Sequence, residues 1–192
     1  DMYGFMKLMV EGNTFAGKKV YLMADLNAMN KVEAGTIDKW AVGTETPDNK
    51  WVGGTKFAGT FDGQMHTISG IYLNTTAAGG GLFGEITATG VVKNLYIKDS
   101  LFKSTAGKVG SVAGISYGTI STVYSNADVV SSQVMTGGIV GNMKDTAKVD
   151  TCWYAGDMKL STKTGKQAGG IVGYIDKGVA NINVSITDCL YT

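Results

Sequence analysis

Apolar and polar positions along this chain come in short alternating runs, and none approaches the 18 or so apolar residues that a membrane-spanning helix requires. The opening segment, DMYGFMKLMVEG, differs in kind from the rest. Its Met2, Met6, Met9 and Val10 recur at helical spacing and Gly12 supplies a stop, which predicts an amphipathic helix over 1–12. After it, KKVYLMADL at 18–26 reads as a strand. FAGTFDGQMHTISGIYL at 57–73 reads as a first coil, with apolar alternation at Ile68 and Ile71.

Further on, the pattern repeats itself. GGLFG at 80–84, GSVAG at 110–114, GGIVG at 137–141 and GGIVG at 169–173 match one another. Their final glycines, Gly84, Gly114, Gly141 and Gly173, follow at intervals of 30, 27 and 32 residues, and Gly80, Gly110, Gly137 and Gly169 open the blocks. A second block follows each: VVKNLYI at 91–97, TISTVYS at 119–125, KVDTCWY at 148–154 and SITDCLY at 185–191. Superposition puts Val92, Ile120, Val149 and Ile186 at one position. It puts Leu95, Val123, Cys152 and Cys189 at another, and Tyr96, Tyr124, Trp153 and Leu190 at the next.

The period separates the repeat architectures. A helical repeat would carry these glycines at about 1 kcal/mol each relative to alanine, and a propeller blade needs about 40–45 residues. Short runs rich in Val, Ile, Thr and Tyr between turn formers are strand chemistry instead. Each repeat then winds one coil of a parallel β-helix, with successive strands about 4.8 Å apart. The expectation is a single all-β domain over 1–192, of about five coils. It comprises a capping helix at 1–12, leading strands, a loop and a first coil at 18–73, and four repeats at 74–192. The helix would cover one open end of the solenoid. SITDCLYT runs out inside a strand and the chain starts at Asp1 without an initiator Met, so the reading is of a fragment, with further coils or a covering domain beyond it.

Composition sharpens this picture. Glycine is 28 of 192 residues, about twice the ordinary usage of roughly 7%, and Pro47 is the one proline. Glycine serves tight corners and close rungs, and central rungs need every backbone donor, which proline lacks. A collagen triple helix needs glycine at every third residue. A disordered linker does not fit a chain that is 44% hydrophobic and 17% charged. The net charge is +1, and all 17 cations are lysine. Without the guanidinium fork, nucleic acid is not an expected partner.

The G-G-[LIV]-[FAV]-G blocks resemble the GLUG motif of bacterial surface proteins, which also occurs upstream of the peptidase in immunoglobulin A-cleaving metallopeptidases. The leader is similar to the N-terminal part of such domains, with NTFAGKKVYLMADL at 13–26, a W-x-x-G beginning at Trp40, and FAGTFDGQMHTI. The resemblance covers nearly the whole chain. It implies a right-handed parallel β-helix on a secreted or cell-surface bacterial protein. Two departures stand out: Ser111 replaces the second glycine of its block, and a loop at 44–56 containing Trp51 separates WAVG from FAG.

Cys152 and Cys189 fall on adjacent rungs, within the 4.4–6.8 Å Cα range of a disulfide, although parallel side chains leave the Cβ atoms wide of the preferred ~3.8 Å. A reduced pair continuing the Leu95–Val123 ladder is the expected state, and a bridge is the alternative. Two Cys and one His do not make a four-ligand zinc site; calcium at clustered Asp and backbone carbonyls stays open, although no D-x-D-x-D loop of the EF-hand kind occurs. No metal or cofactor is expected. His66, the sole histidine, has no nucleophile beside it in the sequence and is read as structural.

If the Leu95 row points inward, alternation sends Tyr96, Tyr124, Trp153 and Leu190 outward as an apolar stripe, able to meet sugar rings or a protein partner. Trp51, in a polar loop, is the other exposed aromatic candidate. Asp145, Asp150, Asp157, Asp176 and Asp188 lie in the last coils, where a glycosidase would need two carboxylates about 5–9.5 Å apart. None sits in a catalytic motif, and the arginine common at lyase sites is absent. The leading expectation is therefore a non-enzymatic structural or adhesive module at the cell surface. It would contact a glycan, a host or cell-surface protein, or further domains of its own chain, without membrane insertion. A carbohydrate-binding module is the alternative, and a polysaccharide-cleaving enzyme comes third.

Overall fold

The computed structural model describes residues 2–27, 55–160, 167–176 and 183–192. Trp40, Pro47 and Trp51 lie outside the described residues.

Short β-rich runs between turn formers build three faces of stacked parallel strands. The first face runs from Lys19–Tyr21 and Leu26–Asn27 through Thr60–Ser69, Val91–Lys98, Thr119–Ser125 and Lys148–Tyr154 to Ser185–Thr187 and Leu190–Tyr191. The second stacks Tyr72–Thr75, Leu101–Ser104, Asp128–Ser131 and Met158–Leu160. The third stacks Lys56–Phe57, Phe83–Ile86, Ala113–Ser116, Val140–Lys144 and Val172–Asp176. Residues 60–86, 91–116, 119–144 and 148–176 each visit the three faces in that order, giving about four turns among the described residues, with further strands stacked at each end. The parallel solenoid with its N-terminal helix fits a right-handed β-helix.

The helix, Met2–Val10, closes the first end. Met2, Met6 and Met9 are buried against the core, and the Phe5 ring lies 5.7–6.2 Å from those of Phe57, Phe61 and Phe83. Val10, expected on the same stripe, is exposed; Phe5 occupies the apolar face instead. The Gly12 N–H donates to the Met9 carbonyl and the Asn13 N–H to that of Leu8, with Gly12 at φ 96°. That crossed pair of bonds ends a helix at a left-handed residue.

Inside the coil, the superposed rows are registered pairs. Val92 pairs with Ile120, Ile120 with Val149, and Val149 with Ile186. Leu95, Val123 and Cys152 form the next buried ladder. Regular alternation would put residues three apart on opposite sides. The backbone reconciles them with a left-handed residue between, Asn94, Thr122, Thr151 and Asp188 at φ 55°, 54°, 50° and 50°. In the first turn two residues, Gln64 and Met65, do the same, and the register shifts there by two, from Asp62 opposite Lys93 to His66 opposite Leu95. Val91–Lys98, Thr119–Ser125 and Lys148–Tyr154 are thus bent in register at one left-handed residue each, which aims both apolar residues inward, and the extra residues of Thr60–Ser69 make a bulge.

On the third face Gly84, Gly114, Gly141 and Gly173 share one row, flanked by the registered Phe83, Ala113, Val140 and Val172. A methyl group at Gly141 would collide with the backbone of Lys108 and Val109, and one at Gly114 with that of Gly79 and Gly80. Here glycine is demanded by close approach of the neighbouring corner. The block-opening row is less regular than its sequence. Gly80 pairs with Val109, one residue before Gly110, because the corner from Gly80 to Phe83 is a residue shorter than that from Val109 to Ala113.

Ser111, the departure from the glycine pattern, has a size-matching cause. Its equivalents Gly138 and Gly170 leave room for the rings of Tyr154 and Tyr191 on the following rung. The rung after Ser111 carries Ser125 at that register position. Ser111 is buried, and its hydroxyl donates to the Gly138 carbonyl at 2.6 Å.

Candidate functional site

Inward rows of the first face are spent on the core, so its chemistry lies on the outward row. Tyr96 pairs with Tyr124, Tyr124 with Trp153, and Trp153 with Leu190, as the superposition anticipates. Tyr96 and Tyr124 are half-buried, Trp153 is 45% exposed and Leu190 is 52% exposed. The stripe is not a flat plate. Tyr96 and Tyr124 have centroids 6.0 Å apart with planes at 56°, and Tyr124 meets Trp153 at 5.0 Å and 74°, edge to face. Such pairs are favoured by the ring quadrupole and stiffen the row. The Trp153 indole N–H donates to the Thr192 hydroxyl at 3.1 Å.

Beside these rings runs an open groove of about 490 Å3, within the roughly 300–1,000 Å3 typical of small-ligand clefts. Its wall includes Met65, Tyr96, Lys98, Tyr124, Asn126 and Trp153. The left-handed residues Thr122 and Thr151 line it as well, so the same backbone bend that aims Leu95 and Val123 inward shapes the floor. Lys98 Nζ stands 5.4 Å from the Tyr96 ring centroid, a cation–π contact. Asn126 is held by accepting the Asp99 backbone N–H at 3.0 Å. Met65, Lys98, Thr122, Asn126 and Thr151 are groove residues that the aromatic pattern alone misses. Lys98 and Asn126 could have been found, since they follow the tyrosines by two and so share their side of the strand.

The other described candidates are held by local contacts. Cys152 and Cys189 are free thiols in the same row. Burial pushes the Cys152 thiol up to about 12 and the Cys189 thiol up as well, so neither is a ready thiolate. Their S–H groups face the carbonyls of Asp150, at 3.2 Å, and Thr187, at 3.1 Å. His66 Nδ1 lies 3.1 Å from Asp25 Oδ1, which also accepts the Thr67 N–H at 2.8 Å. The Thr67 N–H, then His66, hold the Asp25 carboxyl below the usual range. The pair ties the leader to the first turn.

Asp62 is buried at the bulge. Burial pushes its carboxyl up, but the Gln64 backbone N–H, the Asn94 amide and Lys93 together hold it below the ordinary value. Of the late acids, Asp150 accepts from the hydroxyls of Thr151 and Thr187, and Asp176 pairs with Lys144 at 2.9 Å. Asp157 neighbours the buried Asp128, whose carboxyl is pushed up by burial. Asp145 and Asp188 are left-handed residues, at φ 54° and 50°. Among the described residues, no three or more of His, Cys, Asp and Glu gather as metal ligands would. No described helix is long and apolar enough to cross a membrane. Trp51 lies outside the described residues. A smaller cleft of about 270 Å3 on the second face runs along Lys103, Val130 and Lys159.

Compared with known proteins, 143 residues, 73% of this chain, are 30% identical to part of halomucin from Haloquadratum walsbyi (strain DSM 16790 / HBSQ001). The match spans 2% of halomucin's own length. No family model matches the chain, and no solved structure matches it.

Proposed function

We propose that this chain is a non-enzymatic β-helix module of GLUG type, serving a secreted or cell-surface protein as a rigid or adhesive segment. One observation carries the reading: the repeated residues are consumed in stacking. Gly114, Gly141 and Gly173 each accommodate a neighbouring corner, and the Val92 and Leu95 rows fill the core. A scaffold selected for rung packing leaves such a record, and a catalytic site would have to stand outside it. The likeness of 143 residues to part of halomucin agrees with a structural or surface role.

Antibody raised to the chain should label intact cells that produce it, without permeabilisation; label confined to lysed cells would overturn the surface assignment. Incubation with a panel of polysaccharides should release no reducing ends or unsaturated sugars. Release that is lost in Asp150→Asn or Asp176→Asn would replace the module with an enzyme.

A second reading, carbohydrate binding, is favoured by one specific observation, the groove along Tyr96, Tyr124 and Trp153. Aromatic faces and edges beside threonine hydroxyls offer what a sugar ring needs, stacking surface and hydrogen bonds. Binding on a glycan array that disappears with Trp153→Ala separates this reading from a passive spacer.

A further inference from the structure

We propose that the groove along Tyr96, Tyr124 and Trp153 holds an extended anionic polysaccharide, with its acidic substituent at Lys98. The inference rests on the carbohydrate reading and specifies its ligand.

Three observations carry it. First, the groove presents one aromatic ring per rung across three successive rungs, at centroid spacings of 6.0 and 5.0 Å. Strands stack at about 4.8 Å, so the rings step at about the advance of one pyranose unit in an extended chain. Second, the planes turn by 56° and 74° from ring to ring. A flat fused ligand cannot lie on all three, whereas a polymer that rotates about each glycosidic linkage can offer each ring a different face or edge. Polar positions are interleaved with the rings, namely Thr122, Asn126 and Thr151, as hydroxyl-rich units require.

Third, the fixed charge is positive. Lys98 is the ionic side chain among the groove's described lining residues. Of the acids nearby, Asp25 pairs with His66 and the Thr67 N–H and also feels the charge of Lys98, and Asp150 accepts from Thr151 and Thr187; neither is in the lining. Asp99 follows Lys98 at a left-handed corner and is outside the lining. Lysine acts here as a compact point charge, suited to a carboxylate or sulfate arriving from any of several directions. An exposed ion pair contributes at most about 1 kcal/mol, so the charge sets preference and the aromatic row supplies most of the grip.

The test uses two polymers of one linkage that differ in charge, a (1→4)-linked polyuronate and its fully methyl-esterified form, titrated calorimetrically against the full chain at low salt. The polyuronate should bind up to roughly fivefold more tightly, the most one exposed ion pair supplies. Lys98→Gln should erase that preference while retaining the weaker binding of the ester. Trp153→Ala and, independently, Tyr124→Leu should weaken both polymers, with unchanged circular dichroism showing that the fold is kept. Lys103→Gln, on the second face, should change nothing. Equal binding of the two polymers, unaffected by Lys98→Gln, would overturn the anionic assignment and leave the carbohydrate reading standing. Equal losses from Lys98→Gln and Lys103→Gln would mark diffuse charge attraction and overturn the site. Failure of both polymers to bind would overturn the carbohydrate reading together with the inference.

Discussion

Thr122 and Thr151 hold φ at 54° and 50°, a region that β-branched residues occupy only under strain. Their equivalents, Asn94 and Asp188, tolerate it better. Thr122→Asn should therefore stabilise by about 1 kcal/mol, raising Tm by roughly 2–4 °C for a chain of this size; a lower Tm in a thermal melt would show that the hydroxyl matters more than the strain. Asp128 makes a second case. It is buried beside Asp157, and burial raises its carboxyl above the ordinary range although the Asp157 backbone N–H opposes this. A raised carboxyl costs stability wherever the unfolded chain ionises more readily; the cost fades as pH falls through the raised folded value and is nearly gone at the unfolded value of about 3.9. Asp128→Asn should thus be the more stable protein at pH 7, with the gap closing toward pH 3.5 in paired melts. At this scale the sequence was only partly legible. The stacked Tyr96–Tyr124–Trp153 row followed from superposition alone. The left-handed residues did not, although the apolar spacing of three from Val92 to Leu95 already contradicted simple alternation.

Among the elements, the helix was the most readable, because methionines at helical spacing and a terminal glycine are local signals. Its orientation was only partly so: Phe5 rather than Val10 joins the buried face, since the ring finds Phe57, Phe61 and Phe83 waiting at the end of the coil. Met6 is nearly fully buried in that contact. Met6→Ala should cost about 2–4 kcal/mol, and urea denaturation measures it directly; a loss under 1 kcal/mol would mean that the helix rests on the coil without sealing it. The bent first-face strands were harder to read than the helix, because such a bend is written in the match between rungs rather than in any one strand. For the same reason the groove floor escaped a reading built on aromatic residues alone.

At the scale of the stack, the two ends of the described residues differ. The helix covers the first turn, whereas the last rung leaves inward-row residues Ile186 and Tyr191 at 42% and 52% exposure. Stability in a stacked solenoid is a sum of nearest-neighbour interfaces, so a rung with one neighbour is weaker than a rung with two. Native-state hydrogen exchange should show the strongest protection in Val91–Lys98 and Thr119–Ser125 and the weakest in Ser185–Thr187 and Leu190–Tyr191, in order along the stack. Uniform protection would mean that the coil opens as one unit. The repeat period made this architecture legible from the sequence, because periodicity belongs to the chain as a whole and survives local irregularities such as the short corner at Gly80.

The register of rung on rung carries an evolutionary consequence. Each turn hands the next the same ladder that it received, so a duplicated segment spliced into the middle would meet familiar neighbours on both sides. It would also bring its own outward ring, lengthening the groove by one step. For the polymer proposed above, the span held would then follow copy number, altered by recombination wherever the size matching between rungs is kept.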